Sequence, residues 1–244
     1  MGKRIDVYMT EELGIKSRSK AQELIRGGFV TCNSKTVTKT GLFITDSDEI
    51  VIADNEVLKF VSRGGLKLQG AINEFGLNLS GKTVLDIGSS TGGFTDCALQ
   101  NGAKKVIAVD VGTDIMDADL RKDPRIELHE NTDIRTFPSE AYKDIDLAVC
   151  DASFISLPVA LKNLGASGIG FRLMALIKPQ FECGPKLASK FKGVITDEAV
   201  RDEIVKRVVS DMEAIGFRFL KIAPSPIKGG DGNVEFITLF DHPM

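Results

Sequence analysis

Short apolar runs alternate with amphipathic stretches along most of the chain after about residue 61. The apolar runs predict seven strands, at Val84–Ile87, Val106–Val109, Ile126–His129, Ile145–Cys150, Phe171–Ile177, Phe217–Ile222 and Val234–Phe240. The intervening stretches predict helices at Leu66–Phe75, Phe94–Gln100, Leu157–Leu164 and Asp197–Ile215. Nearly continuous apolar strands separated by helices are typical of a parallel sheet covered on both faces. Residues 61–244 are therefore predicted to form an α/β domain with a mostly parallel, seven-stranded sheet.

Residues 1–60 have a different pattern, which predicts a separate small α+β domain. A first helix is predicted to start near Ile5 and stop at Gly14, and a second to span Lys20–Arg26, capped by Ser17 or Ser19. Short β-like pieces follow at Phe29–Cys32, Thr36–Val37 and Glu49–Ile52, and Ala53–Val61 is interpreted as a linker or a late strand.

Basic side chains gather around the second predicted helix and the turn after it. They are Lys16, Arg18, Lys20, Arg26, Lys35 and Lys39, and Glu23 is the only acidic residue among them. A solvated basic face is the commoner meaning of such a cluster. A surface for nucleic-acid phosphates is the alternative.

The bulk composition excludes several classes of protein. The 244 residues carry a formal net charge of -3, which argues against uniform attraction to nucleic acid. The four cysteines lie far apart without a Cys-x-x-Cys pair, so neither a zinc site nor a disulfide framework is predicted. There is no apolar signal region, and no apolar run approaches the roughly 18 residues that cross a bilayer. The expectation is a soluble, cytoplasmic protein without a membrane partner.

A glycine-rich turn, Gly88-Ser89-Ser90-Thr91-Gly92-Gly93, follows the first strand of the larger domain. Ser90 stands where a dinucleotide-binding turn needs its second glycine, so a pyrophosphate fits poorly. Asp86, at the strand end, suits a cationic or hydroxylated ligand such as S-adenosylmethionine. An ordinary strand–turn–helix is the alternative interpretation.

Two further carboxylates could complete a site for such a donor. Asp110 ends the second strand about 20 residues beyond the turn, where a carboxylate usually accepts from ribose hydroxyls. Asp133, after the third strand, could receive an adenine amino group, and either residue could instead be a helix cap. The predicted donor contacts are Asp86, Gly88, Ser90, Gly92, Gly93, Phe94, Asp110 and Asp133.

Four charged residues stand where a ligand crevice is expected. Asp151 and Lys178 each follow a predicted strand, Glu235 enters the last strand, and Lys67 lies at the start of the larger domain. Ligands of open α/β sheets bind at the carboxyl ends of the strands. A structural ion-pair network is the alternative, because charges beside buried strands need partners.

Two resemblances then become specific. Arg4 to about Ile52 resembles the RNA-binding domain of the S-four (alpha-L) type, through Ser-Arg-Ser-Lys-Ala-x-x-Leu-Ile-x-x-Gly-x-Val. The motifs Ser-Arg-Gly-Gly-x-Lys-Leu, Asp-Ile-Gly-x-Ser-Thr-Gly-Gly-Phe-Thr-Asp-Cys, Cys-Asp-x-Ser-Phe-Ile-Ser, Lys-Pro-Gln-Phe-Glu and Ser-Pro-Ile-x-Gly-x-x-Gly-Asn-Val-Glu-Phe follow in order. As a set they resemble the hemolysin A (TlyA) family of ribosomal RNA 2′-O-methyltransferases, whose catalytic domain is FtsJ-like.

The resemblance implies a Rossmann-like class I methyltransferase that uses S-adenosylmethionine, needs no metal, and acts on ribosomal RNA or ribosomal subunits. It places a catalytic tetrad on Lys67, Asp151, Lys178 and Glu235. Lys178 is the candidate general base or hydroxyl-orienting group, and cytidine is the expected nucleotide. Lys16, Arg18, Lys20, Arg26, Lys35 and Arg63 are the expected RNA contacts.

One segment departs from the family pattern. Residues 112–120 replace the family's usual Gly-Tyr-Gly-Gln-Leu, which puts the contacts around the adenosine or the RNA in doubt. The alternatives are a non-catalytic RNA-binding or ribosome-assembly factor and a membrane-lysing hemolysin. The modified nucleotide, the ribosomal subunit and the oligomeric state are left open by the sequence.

Overall fold

The computed structural model describes residues 2–52, 59–229 and 231–243. The chain divides into two compact units, Met1–Arg63 and Gly64–Met244. Six residues of the predicted linker, 53–58, lie outside the described residues. In the part of the chain that is described, no helix is both long and apolar enough to cross a bilayer.

The smaller unit combines two helices with short antiparallel strands. Its elements are β1 (Lys3–Arg4), α1 (Ile5–Glu11), α2 (Arg18–Arg26), β2 (Val30–Cys32), β3 (Lys35–Thr36), β4 (Phe43–Ile44) and β5 (Ile50–Ile52). β2 pairs with both β3 and β5, and β1 pairs with β4. Of the two candidate caps, Ser17 is the one used, because its Oγ accepts from the Lys20 amide at 3.1 Å. The β1–β4 pair was not predicted, since two-residue strands have no detectable period.

The larger unit contains the alternating strands and helices. Its elements are α3 (Gly64–Phe75), β6 (Thr83–Ile87), α4 (Gly93–Gln100), β7 (Lys105–Val109), β8 (Ile126–His129), β9 (Leu147–Cys150), α5 (Leu157–Gly165), β10 (Phe171–Ile177), α6 (Pro179–Glu182), α7 (Gly184–Lys190), α8 (Glu198–Ala214), β11 (Arg218–Pro224) and β12 (Phe236–His242). The predicted seven strands are confirmed, whereas the short helices α6 and α7 were not predicted.

The seven strands form one sheet in the order β11-β12-β10-β9-β6-β7-β8. Strands β8, β7, β6, β9 and β10 are parallel, and β12 runs antiparallel to both of its neighbours. The strand order reverses between β6 and β9, which is where open α/β sheets bind their ligands. The predicted mostly parallel, Rossmann-like fold is confirmed.

The sheet is buried along its centre, which explains the apolar runs of the sequence. All five residues of β6 are buried, and so are all four of β9. Several predicted strand boundaries shift by one or two residues, and among the strand starts those of β9 and β12 shift most. β9 begins at Leu147 because the carboxylate of Asp146 instead accepts from the Thr83 amide at 2.9 Å and pairs with Lys82. β12 begins at Phe236 because a tight turn, in which the Gly229 amide donates to the Asn233 carbonyl, precedes it.

Candidate active site

A cavity of about 520 Å³ lies at the carboxyl ends of β6, β7 and β9. Its lining includes Gly88 and Ser90 after β6, Asp110 and Val111 after β7, and Asp151 to Ile155 after β9. Thr132 to Arg135, after β8, close the same cavity. The cavity therefore occupies the crevice predicted for the ligand, at the reversal of strand order.

The glycine-rich turn lies against the loop that follows β9. Gly88 has a φ of +77°, and a Cβ there would lie 3.1 Å from the Ala152 Cα, so a larger residue would push the two loops apart. Gly92 and Gly93 begin α4, and Phe94 is buried with 3% of its surface exposed. These last three residues do not line the cavity, whereas Gly88 and Ser90 do.

Asp86 is buried at the end of β6, with 1% of its surface exposed. Its Oδ2 accepts from the Thr95 hydroxyl at 2.6 Å, while Oδ1 has no donor within the described residues. The pKa of Asp86 is raised to about 7, chiefly by burial; the nearby carboxylates of Asp151 and Asp110 contribute to the increase, and the Thr95 hydrogen bond opposes it. A buried acceptor without a donor is the kind of group that a cationic ligand, or a water beside it, would satisfy.

Asp110 fixes the conformation of the glycine-rich turn. Its Oδ2 accepts from the Ser90 amide at 2.8 Å, and its Oδ1 accepts from the Gly112 amide at 2.7 Å. Ser90 has a φ of +47°, so this turn places a non-glycine residue in the left-handed region. The Ser90 amide donates to a carboxylate and is not free for a pyrophosphate. Each Asp110 oxygen retains a lone pair for a hydroxyl donor.

Asp133 lines the cavity beside Arg135, which the sequence reading did not single out. The Asp133 side chain caps the single 3₁₀ turn Ile134–Thr136 by accepting from the Arg135 amide at 2.9 Å. Hydrogen bonds from the Arg135 side chain lower the pKa of Asp133. Asp133 is therefore a cap, which was one of the two predicted alternatives, and because it also lines the cavity its contact with an adenine amino group stays a prediction.

The four charged residues predicted at strand ends come together in one network. Lys67 on α3 lies with its Nζ 2.7 Å from Glu235 Oε2 and 3.4 Å from both Asp151 carboxylate oxygens. Lys178 Nζ lies 2.6 Å from Asp151 Oδ1. Lys67, Lys178 and Glu235 are each no more than 5% exposed. Asp151 is 20% exposed, and the two cations and two carboxylates balance one another, as burial of the other three charges requires.

Lys178 is held entirely by the loop after β9. Its Nζ donates to the Asp151 carbonyl and to the Ser153 Oγ, each at 2.9 Å, in addition to the ion pair with the Asp151 carboxylate. These three acceptors match the three N–H groups of an ammonium. Because Asp151 and Ser153 also line the cavity, Lys178 lies directly behind its wall.

Comparison with known proteins identifies the family. The model of the FtsJ-like methyltransferases matches residues 60–242, and that of the S4 domain matches residues 3–50. YqxC of Bacillus subtilis is 43% identical over 237 residues, which cover 96% of this chain and 84% of YqxC. The 16S/23S rRNA (cytidine-2'-O)-methyltransferase TlyA of Mycobacterium tuberculosis is 35% identical over 96% of this chain and 87% of its own. A solved structure of a protein from Streptococcus thermophilus has a TM-score of 0.76 at 35% identity, over 99% of this chain and 89% of that one.

The chain belongs to the FtsJ-like methyltransferase family.

The cavity of this FtsJ-like methyltransferase fits S-adenosylmethionine, the methyl donor of the family. The Asp86 Oδ1 without a donor suits an ammonium group, and Asp110 suits ribose hydroxyls. Val111, Ile134 and Ile155 give the cavity an apolar wall of the kind that contacts an adenine ring. Within the described residues, no group of three or more His, Cys, Asp or Glu side chains could hold a metal ion.

The segment that departs from the family pattern, residues 112–120, folds away from the cavity. Glu130 anchors it by accepting from the Asp114 and Ile115 amides at 3.0 and 3.2 Å. Leu120 packs so closely on the turn that a Cβ at Gly92 would lie 2.4 Å from its Cδ1. The segment therefore supports the glycine-rich turn from outside.

Three further residues of the methyltransferase site were not predicted from the sequence, although the motifs given above contain them. Gln180 donates through Nε2 to Glu235 Oε1 at 3.0 Å. Glu182, 9% exposed, caps α5 from another element, because its Oε1 accepts from the Leu157 amide at 2.7 Å. Phe154 is 90% exposed at the cavity mouth. Only position within the motifs Cys-Asp-x-Ser-Phe and Lys-Pro-Gln-Phe-Glu could have indicated them.

Phe154 has an unusual environment for a large apolar side chain. Its φ of +64° is rare for an aromatic residue, and its ring packs against Phe181 with centroids 4.9 Å apart. The Phe181 ring in turn lies 5.8 Å from Lys178 Nζ. The Phe154 ring thus extends from the cavity wall into solvent.

The predicted RNA contacts of the S4 unit have different environments. Lys16, Arg26 and Lys35 are exposed, and Arg63 is half-buried. Arg18 is exposed but anchored, since its Nε donates to Asp6 Oδ2 at 2.8 Å. The expectation that Lys20 contacts RNA does not agree with its environment. The residue is 9% exposed, and its Nζ donates to the Phe60 carbonyl at 2.9 Å. A buried ammonium with such a bond holds the unit together and does not face RNA.

Neither cysteine near the sheet resembles an activated nucleophile. Cys150 is fully buried, and burial raises the pKa of its thiol to about 12. Burial also raises the pKa of Cys183. These environments oppose carbon methylation through a cysteine adduct.

Proposed function

We propose that this methyltransferase transfers a methyl group from S-adenosylmethionine to a ribose 2′-hydroxyl of ribosomal RNA, with cytidine as the target nucleotide. The observation that carries this proposal is the buried Lys67–Asp151–Lys178–Glu235 network beside the cavity. The Mycobacterium tuberculosis relative, which is named as a 16S/23S rRNA (cytidine-2'-O)-methyltransferase, supports the choice of substrate. Residues 1–60 would bind the RNA of a ribosomal subunit, and residues 61–244 would catalyse the transfer.

The donor would be held by cavity residues together with Asp86, which is buried at the end of β6 and does not itself line the cavity. Asp86 would face its ammonium and Asp110 its ribose, while Asp133 and the apolar wall would contact the adenine. When bound, S-adenosylmethionine supplies a methyl group that its sulfonium already activates. The remaining tasks of the protein are to place the hydroxyl oxygen in line and to remove its proton.

Lys178 is the residue we assign to the hydroxyl proton. In its ammonium form all three N–H groups have acceptors, on Asp151 and Ser153. When one ammonium proton moves to the Asp151 carboxylate, 2.6 Å away, Nζ gains a lone pair that can accept the hydroxyl proton, while the bonds to the Asp151 carbonyl and the Ser153 Oγ keep the nitrogen in place. Asp151 would orient Lys178, and Glu235 would hold Lys67 beside Asp151.

Phe154 would hold the base of the target nucleotide. An aromatic ring that extends into solvent from a methyltransferase cavity gives a flipped-out base a surface on which to stack. Phe181 lies on α6, three residues after Lys178, so its packing against Phe154 would relate the base position to the catalytic nitrogen. The ribose would then lie between the stacked base and the tetrad.

The test is to map methylation on natural substrate. Ribosomal subunits from a strain that lacks this protein would be incubated with the purified protein and labelled S-adenosylmethionine, and the RNA digested to nucleosides for mass spectrometry. We expect 2′-O-methylcytidine at one or a few sites. A methyl group on a base, or no incorporation into either subunit, would contradict the proposal. The second result would favour a non-catalytic RNA-binding role.

A further inference from the structure

Gln180 closes a ring of polar contacts that begins and ends on the segment around Lys178. Lys178 pairs with Asp151 at 2.6 Å, Asp151 with Lys67 at 3.4 Å, and Lys67 with Glu235 at 2.7 Å. Glu235 then accepts from the Gln180 amide at 3.0 Å, and Gln180 lies two residues after Lys178 on α6. The backbone of α6 therefore completes the ring.

We infer that Gln180 is a positioning residue for methyl transfer, which holds Glu235, and through it Lys67 and Asp151, at a fixed distance from Lys178. This inference rests on the proposed ribose methylation. Gln180 acts through the tetrad and is not itself assigned a contact with RNA or donor.

The orientation of the Gln180 amide is dictated by Glu235. An ionised carboxylate can only accept, so the amide must present its NH₂ group to Glu235. The Gln180 Oε1 is left buried, without a hydrogen-bond donor in the residues that the structure describes. Leaving a buried acceptor without a donor is unfavourable, and the contact with Glu235 outweighs that cost.

The surroundings of Glu235 leave its carboxylate little freedom. A Cβ at Gly229 would lie 2.6 Å from Glu235 Oε1, so the main chain closes one side of the carboxylate. Lys67 takes Oε2, and Gln180 takes Oε1. A neutral donor at position 180 binds the carboxylate without changing the balance of two lysines and two carboxylates.

The first experiment measures single-turnover methylation of ribosomal subunits by Gln180→Ala. We expect the single-turnover rate constant to fall by about 10–100-fold through misplacement of the tetrad, with unchanged affinity for S-adenosylmethionine. Gln100→Ala is the matched control, since Gln100 is exposed at the end of α4 and its Nε2 donates to Asp96 Oδ1 at 2.9 Å, away from the tetrad. Thermal unfolding of each variant shows whether a folded protein was assayed.

The second experiment uses Gln180→Glu, which keeps the shape of the side chain. Two carboxyls this close cannot both ionise readily, so a shared proton keeps the contact with Glu235 only at low pH. The activity of Gln180→Glu relative to wild type should therefore fall as the pH rises between about 6 and 9. A purely structural side chain would give a ratio that does not change with pH.

The outcomes separate this inference from the proposed function. The positioning role is overturned if Gln180→Ala has the wild-type single-turnover rate constant, or if the activity of Gln180→Glu relative to wild type does not change with pH. Ribose methylation by the wild type would stand in either case. If Gln180→Ala does not fold, the pH profile of Gln180→Glu decides. If the wild type places no methyl group on ribose, the proposed function is overturned and the role of Gln180 with it.

Discussion

The Nζ of Lys67 lies 2.7 Å from Oε2 of Glu235, although 168 positions separate the two residues in the chain. α3 brings Lys67 to the network, and the turn before β12 brings Glu235. Both side chains are buried, so neither charge could remain there without the other. This ion pair thus joins the first helix of the methyltransferase unit to the turn before its last strand.

Lys178→Ala should abolish most methyl transfer. Removal of a general base lowers the chemical rate by about 10²–10⁴-fold, while donor affinity should stay unchanged because Lys178 lies behind the cavity wall. Lys178→Arg should not restore the rate, since a guanidinium does not lose its proton in the working pH range. Single-turnover methylation beside calorimetric donor titration measures both, with Lys206→Ala as the surface control. An active Lys178→Arg enzyme would leave Lys178 with only an electrostatic role.

Donor affinity should increase as the pH rises through about 7, the pKa of Asp86 in the folded protein. Below that pH the carboxyl is largely neutral, and a cationic ligand binds the carboxylate better than the acid. Calorimetric titration at about pH 6 and 8 should show this increase for wild type and a smaller one for Asp86→Asn. Equal pH dependence in the two proteins would remove Asp86 from the donor site.

The same carboxyl should make the unliganded protein less stable at alkaline pH. The folded pKa of about 7 is higher than that of an unfolded aspartate, about 3.9. The stabilising contribution is therefore complete below about pH 4 and is lost as the pH rises through 7. At pH 8 the free energy of unfolding of Asp86→Asn should exceed that of wild type by roughly 4 kcal/mol at most, so the variant should unfold at a higher temperature. The difference should shrink toward pH 5. A constant difference across this range would contradict the assignment.

Phe154→Ala should reduce kcat/KM for RNA by about 5–150-fold, because base–aromatic stacking contributes about 1–3 kcal/mol. The side chain is 90% exposed, so its removal should leave the unfolding temperature almost unchanged. Phe154→Tyr should retain activity, and Leu220→Ala on β11 serves as an exposed apolar control. Equal kcat/KM in Phe154→Ala and wild type would exclude stacking on this ring.

The exposed cations of the S4 unit should determine RNA affinity. Replacing Lys16, Arg26 and Lys35 together by alanine should weaken binding to ribosomal subunits. The slope of log affinity against log salt concentration should become shallower, by an amount that corresponds to up to about three phosphate contacts. The same number of substitutions at Lys143, Lys206 and Lys221, which are exposed on the other unit, is the charge-matched control. If both triple variants bind with the same affinity and salt slope, the S4 unit is not the RNA anchor.

Much of the fold was predictable because buried parallel strands leave a strong local signal. β8 and β10 begin and end where their apolar runs do. The pair β1–β4 was missed because two residues show no period, and α6 and α7 were missed because Pro179 and Pro185 hide short helices in what reads as a loop. The pattern of apolar residues is therefore enough to predict the strands of the large sheet, but it does not predict the strand pair β1–β4 or the short helices α6 and α7.

The site was predictable only in part, for a similar reason. Lys67, Asp151, Lys178 and Glu235 stand out as charges beside apolar runs. Nothing local distinguishes Gln180 from a surface glutamine, since its role depends on Glu235, which lies 55 positions away. Lys20 illustrates the opposite error, because its membership in a basic cluster concealed a buried bond to the Phe60 carbonyl.

The reversed direction of β12 affects how the sheet can be assembled. β12 lies between β10 and β11, and within the described residues β11 pairs with no other strand. β11 therefore precedes β12 in the chain but has no place in the sheet until β12 has joined β10. A chain in which β6 to β10 had already formed would possess the whole donor cavity and still lack Glu235. The strands that line the donor cavity and the strand that brings Glu235 to the tetrad are thus separate parts of a single sheet.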